Sequence, residues 1–308
     1  MRILFASTDT IAIPLLTLLN EKGLVGAVFS TPDAPLKRGK GFVATPIKKK
    51  ALELGLSVFT PEHLNRAERE IVRSLDCDTL LSFSYGKIFG PKFLSLFKYT
   101  FNVHPSILPK YRGCSPIFNV IKNEERESAI AVQKIDTSID EGEIYGMLPF
   151  SLDGTETSES LEILISERAP GFVLSILESV SNIIPLPQTG EASYTGFITR
   201  DDSRINWQDK ASSIHALIRA SYPWPKAWCL FEDKPFIITG VHSSSFLPFE
   251  ESVEKPGTVV CLDKKKGLKI ATGDGYLYVT RVLPPMKKEM DALSFVNGNK
   301  KVIGSVLE

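Results

Sequence analysis

The sequence predicts an α/β protein: a Rossmann-like, doubly wound and mostly parallel sheet, followed by a smaller C-terminal β-barrel of the OB-like kind. Three observations predict it. Up to about residue 180, short apolar runs alternate with segments of helical periodicity, which is the pattern of parallel strands joined by crossover helices. Beyond residue 204, apolar runs of strand length follow one another with turns at KPG, KKKGL and TGDGY, the spacing of a small barrel. Between the two, IIPLPQTGEASYTG is punctuated by Pro and Gly and is too long for an internal turn, so it reads as a connector between domains. The expected division is a catalytic domain over 1–184, a linker over 185–203 and a barrel domain over 204–308.

Taken in order, RILFA opens as a short buried strand, and Ser7, Thr8, Asp9 and Thr10 form the cap turn of a helix over Ile11 to Lys22. A second strand starts at Leu24. Thr45 is placed to cap a helix that runs to Leu54, with Pro46 at its first position. Strands are expected at Thr79–Phe83, Tyr99–His104 and Ala129–Ile135, with a helix over Ser115–Lys122 between the last two. A turn from Asp136 to Gly142 leads into a further strand, and an amphipathic helix over Ser158–Val180 closes the domain. In the second domain a helix over Ser212–Ala220 precedes the strands.

Charge and composition exclude several classes. The chain of 308 residues has no net charge, which argues against a uniformly basic nucleic-acid binder. Its distribution is uneven: residues 1–202 sum to −4 and residues 203–308 to +4, as for an enzyme with a mildly basic appendage. Within the acidic part, Ala34 to Lys50 carries Lys37, Arg38, Lys40, Lys48, Lys49 and Lys50 and no acid. Cys77, Cys114, Cys229 and Cys261 are far apart and form no CxxC pair, so neither a zinc site nor a disulfide framework is expected, and a reducing cytoplasm is the expected location. No run is long enough for a membrane span, and the apolar stretch from Ile11 is expected to be a helix rather than a signal peptide. The first turn, FASTDT, lacks the glycines of a dinucleotide fingerprint, and no GxxxxGK[ST] loop occurs; NAD, flavin and ATP are not expected.

The chemistry concentrates in FNVHPSILPKYRG, Phe101 to Gly113. Period-2 alternation points Asn102 and His104 the same way, and Pro105 ends the ladder because it has no N–H to donate. Polar groups at the carboxyl end of a strand lie where open α/β sheets bind ligands. Asp140, in the turn after the next strand, supplies the carboxylate that orients an imidazole, and Asn102 can donate to a developing oxyanion. Ser106 and Cys114 are the available nucleophiles, but neither sits in a GxSxG elbow or a known cysteine motif. Direct acyl transfer to an external amine is therefore preferred to covalent catalysis.

Asn102, Val103 and His104, then Ser106, Ile107, Leu108 and Pro109, then Arg112 and Gly113, followed by Asp140, Glu141 and Gly142, closely resemble the signature of the folate-dependent formyltransferases. The loop TPDAPLKRGKGFVATPIK, RINW, Arg219 with SYPWPKAW, and ATGDGYL resemble the branch that acts on methionyl-tRNA, so the likeness covers nearly the whole chain. It implies a formyltransferase-type sheet and transfer of the formyl group of 10-formyltetrahydrofolate to the α-amino group of initiator methionyl-tRNA. Asn102, His104 and Asp140 correspond to the family's catalytic trio, and Ser106, Ile107, Leu108 and Pro109 to its folate-contacting loop. Lys37, Arg38 and Lys40 would meet the tRNA acceptor stem and the barrel more of its backbone. A monomer without metal or NAD is implied. A formyltetrahydrofolate hydrolase or an amino-sugar-nucleotide N-formyltransferase would share the trio, and a non-catalytic RNA-binding relative would not need it; the basic loop and the Pro-Trp-Pro segment argue against the first two. The chain departs from the family's usual pattern at Ser7, Thr8, Asp9 and Ile11, and at Ala129, Ala131 and Ser138, which bears on the shape of the methionyl pocket. The Trp207, Trp224 and Trp228 group is expected to pack the second domain, and His63, His215 and His242 to be surface or packing residues.

Overall fold

In the computed structural model, which describes residues 1–36, 41–243 and 252–308, the strands of the first region form one seven-stranded sheet. Its order is Ile144–Ser151, Glu127–Lys134, Tyr99–His104, Thr79–Ser82, Ile3–Ala6, Val25–Phe29, Val58–Phe59. From Tyr99–His104 to Val58–Phe59 all pairs are parallel. The central strands are covered on both faces: Ile3, Leu4, Phe5 and Ala6 are all 0 % exposed, which is why they read as continuous apolar runs rather than alternating ones. Glu127–Lys134 joins antiparallel to Tyr99–His104, with Asn102 opposite Gln133 and His104 opposite Ala131.

The expected elements occur with ends displaced by a residue or two. The first helix is Ile13–Glu21, entered through a 3-10 turn at Thr10–Ala12 that Asp9 caps. Thr45 caps Pro46–Glu53 through its hydroxyl, which accepts from Lys48 N at 3.2 Å. The helices Pro116–Lys122 and Ser158–Ser179 also form. A helix at Arg66–Ser74 was not predicted. Its cap is nevertheless written in the sequence: Asn65 accepts from Ala67 N at 2.7 Å and Glu68 from Asn65 N at 3.0 Å, a capping box.

The chain divides into two compact units. One comprises residues 1–116, 128–150 and 162–196; the other comprises 117–127, 151–161 and 197–308. The second unit is built on a six-stranded antiparallel sheet in the order Ala227–Phe231, Lys234–Val241, Tyr276–Leu283, Gly267–Ala271, Val259–Asp263, with Met290–Asp291 also on Tyr276–Leu283. Phe236, Ile238, Leu268, Ile270, Leu277 and Val279 fill its core at 0 % exposure. The two outer strands are linked by residues 304–308: Val259 N donates to Ser305 O at 2.9 Å, and Glu308 N to Leu230 O at 2.9 Å.

The segment 151–161 is tied into this unit by buried polar contacts. Ser158 Oγ donates to Ala220 O at 2.6 Å and Arg219 Nη1 to Glu156 O at 2.7 Å. Arg219 Nε donates to His215 Nδ1 at 2.9 Å. Burial first, and then the Arg219 charge, push the His215 imidazole down to about 3, so it serves here as a neutral acceptor. The tryptophans divide. Trp207 is buried; Trp224 is 64 % exposed, so it does not pack the domain as expected. The Arg200 and Arg204 guanidinium groups lie 5.2 and 5.4 Å from the centre of the Trp228 ring. No helix among the described residues is long and apolar enough to cross a membrane.

Candidate active site

Tyr99–His104 ends where the sequence places it, and its two polar side chains meet one carboxylate. Asn102 Nδ2 donates to Asp140 Oδ1 at 3.0 Å, and His104 Nδ1 lies 3.5 Å from Asp140 Oδ2. Two more donors hold the same group: Gln133 Nε2 donates to Oδ1 at 2.6 Å and Gly113 N to Oδ2 at 2.8 Å. A carboxylate offers about four lone-pair sites, and the three hydrogen bonds take three of them. Asp140 is thus fixed in orientation. His104 Nε2 lies 2.9 Å from Tyr111 O; a carbonyl only accepts, so Nε2 carries the hydrogen in this contact.

The turn that presents Asp140 is held in an uncommon conformation. Asp140 has φ 54°, the left-handed region that Asp tolerates better than most residues. Gly142 follows because a Cβ there would stand 1.9 Å from Lys134 O. Gly113, at φ 100°, is required likewise: a Cβ would meet Thr195 O at 2.2 Å.

Thr195 belongs to the connector, which packs along the loop after His104. Tyr194–Thr195 pairs in parallel with Arg112–Gly113. Tyr111 N donates to Ser193 Oγ at 2.8 Å, Arg112 N to Ser193 O at 2.9 Å and Ser115 N to Thr195 Oγ1 at 3.0 Å. Arg112 is buried with its charge answered: Nη1 donates to Tyr194 Oη at 2.7 Å and stands 3.3 Å from Glu141 Oε1, which also accepts from Tyr194 Oη at 2.6 Å. Gln188 Oε1 accepts from Arg112 Nε and Nη2 at 3.1 and 2.8 Å.

The residues singled out in the sequence fall into three groups. Asn102, His104 and Asp140 come together. Of the loop Ser106, Ile107, Leu108 and Pro109, only Ile107 is partly exposed; Ser106 is fully buried and its hydroxyl donates to Lys110 O at 2.7 Å. Lys37, Arg38 and Lys40 lie outside the described residues, between Leu36 and Gly41, where Leu36 N donates to Gly41 O at 3.0 Å across a short antiparallel pair. Lys48, of the same basic segment, is paired with Asp33 at 2.8 Å. Ser7 is fully buried, its hydroxyl without a hydrogen-bond partner among the described residues, while Ile11 is buried and Asp9 is exposed. Partial burial and the Asp140 charge raise the Cys114 thiol above its ordinary range, which makes it a poor nucleophile at neutral pH.

Gln133 and Gln188 were not anticipated. Gln133 had a signal, since a carboxamide at a buried-face position of an apolar strand must be paired. Gln188 had none, because nothing local distinguishes it within a polar connector.

Residues 1–176 match the model of the formyl transferase family, and residues 197–300 the model of its C-terminal domain. The chain is 34 % identical over 310 residues to the methionyl-tRNA formyltransferase of Borreliella afzelii, covering 99 % of this chain and 98 % of that protein. Among solved structures it resembles HypX from Aquifex aeolicus with a TM-score of 0.67 at 19 % identity; the likeness covers 98 % of this chain and 50 % of that one, so the chain spans half the length of HypX. It also resembles methionyl-tRNA formyltransferase from Clostridium thermocellum, with a TM-score of 0.57 at 19 % identity over 78 % of this chain and 92 % of that one.

Proposed function

The chain belongs to the formyl transferase family, and from that premise we propose that it transfers the formyl group of 10-formyltetrahydrofolate to the α-amino group of initiator methionyl-tRNA. The observation that carries the chemistry is the meeting of Asn102, His104 and Asp140 at the carboxyl end of one strand. The likeness of the entire chain to enzymes named for methionyl-tRNA favours that acceptor over an amino sugar nucleotide or water.

The amine attacks the formyl carbon, the new C–N bond forms, and the carbonyl oxygen becomes an oxyanion. The carbon–N10 bond then breaks, and the proton lost by the amine ends on N10. Asn102 has a second N–H beyond the one given to Asp140 and donates it to the oxyanion. His104 joins it by exchanging the Tyr111 carbonyl for the same oxygen. Such preorganised donors typically contribute a hundredfold or more each. Asp140, held by three hydrogen bonds, acts as a fixed anion that orients both donors. Ile107 and the loop backbone, rather than the buried Ser106 and Leu108 side chains, meet the folate. All the groups used belong to one chain, which acts as a monomer in the cytoplasm, where its tRNA acceptor is charged. Residues 204–308 hold tRNA backbone, while folate binding and transfer belong to the part before the connector.

The deciding assay offers the protein 10-formyltetrahydrofolate with charged initiator tRNA, an amino sugar nucleotide, or water alone. The methionyl-tRNA is expected to gain the formyl group. Formylation of the sugar, or release of formate at an equal rate without tRNA, would remove the assignment.

A second expectation concerns Arg38, whose planar fork can hold a phosphate with two hydrogen bonds. Arg38→Ala should raise the Michaelis constant for tRNA about tenfold, flatten the salt dependence of binding and leave folate binding unchanged. Parallel salt slopes for variant and wild type would count against any contact by this loop.

A further inference from the structure

We propose that Gln188 is a positioning residue for Asp140, and that the connector is thereby part of the catalytic apparatus. It lies at a place neither family match reaches, since one ends at residue 176 and the other begins at 197. Its contacts face the site on both sides. Nε2 donates to Asp140 O at 2.8 Å and Gly142 O at 2.9 Å, and lies 3.2 Å from Gln133 Oε1. Oε1 accepts two N–H groups from Arg112. The backbone bonds grip the left-handed Asp140 turn on either side of Glu141, where the conformation is disfavoured and needs support.

The side-chain bonds set a polarity. Arginine has donors only, so the end of Gln188 facing Arg112 must be its oxygen and the end facing Gln133 its NH2. Gln133 then presents oxygen to Gln188 and NH2 to Asp140 Oδ1, 2.6 Å away. Arg112, Gln188 and Gln133 thus form a directed relay of donors that ends on the carboxylate. Neither charged side chain of similar length fits the middle of it. Glutamate would turn negative oxygen toward two carbonyls, and lysine would face the Arg112 guanidinium with a like charge.

The inference rests on the role given to Asp140 above, and the test separates the two. In the full-length protein, Gln188→Glu keeps size and the Arg112 contact but removes every donor. It should lower kcat about thirtyfold, with Michaelis constants for 10-formyltetrahydrofolate and methionyl-tRNA within about twofold of wild type. Gln188→Ala should lower kcat about tenfold in the same manner. Because Gln188 acts through Asp140, adding Gln188→Glu to Asp140→Asn should cost little beyond Asp140→Asn alone.

Wild-type kcat in Gln188→Glu, or losses that multiply in the double variant, would overturn the proposal. A role in packing alone predicts a lowered melting temperature with kcat retained, which overturns it equally. If Gln188→Glu does not fold by circular dichroism, Gln188→Ala decides by the same kinetic criteria. Wild-type turnover in Asp140→Asn alone would instead bring down the role of Asp140, and this inference with it.

Discussion

Asp140→Asn is expected to lower kcat by at least a hundredfold while the protein stays folded. The substitution preserves shape and inverts function. Oδ1 accepts from Asn102 and Gln133, and Oδ2 from Gly113 N beside His104 Nδ1. Turned one way, the amide NH2 faces the Asn102 and Gln133 NH2 groups; turned the other, it faces Gly113 N; either way donor meets donor, and the charge opposite the imidazole is lost. Both donors assigned to the oxyanion therefore lose their reference point together. The donor-to-donor contact costs about 1–3 kcal/mol of stability, enough to lower the melting temperature by some degrees without unfolding the domain. Steady-state formylation, with the melting temperature measured on the same sample, checks this. Turnover within tenfold of wild type would mean that Asp140 does not orient the site.

The second large effect is expected from His104→Ala, again about a hundredfold or more in kcat. The imidazole bridges Tyr111 O and the Asp140 carboxylate inside the protein, with its side chain only 4 % exposed. Removing it takes away one oxyanion donor and leaves Asn102 as the other. Asn102→Ala should therefore cost a similar factor, and the double variant less than the product of the two, since both act on one oxygen. Folate affinity, read by equilibrium titration, should change little in either. Equal losses in affinity and in turnover would assign these residues to binding rather than to transfer.

The part of this site legible in the sequence is the part written in local pattern. Alternation set the face of Asn102 and His104, Pro105 marked the end of their strand, and Thr45 with Pro46 marked a helix start. Gln133 was half legible, as a polar residue inside AVQK that had to find a partner. Gln188 was not, because its meaning comes from Arg112, Asp140 and Gly142, which lie 46 to 76 residues away in the chain. The antiparallel register that sets Gln133 opposite Asn102 is equally non-local. Trp224 misled for the opposite reason: a large apolar side chain predicts burial on average, and this one stands exposed.

The make-up of the second unit bears on how the protein is synthesised. Residues 117–127 and 151–161 belong to it, and they leave the ribosome long before its sheet exists. Until residues 227–283 emerge, these two segments lack the partners they have in the folded state, among them Arg219 and Ala220 for Glu156 and Ser158. The link between the outer strands waits longer still, for residues 304–308. Closing such long loops is entropically costly and slow, so the second unit closes only after residues 304–308 have emerged, whereas the strands from Ile3 to His104 have their sheet neighbours early. A nascent chain halted just after residue 202 would leave Glu156 and Ser158 without Arg219 and Ala220, making that stage of synthesis one open to aggregation and to capture by chaperones.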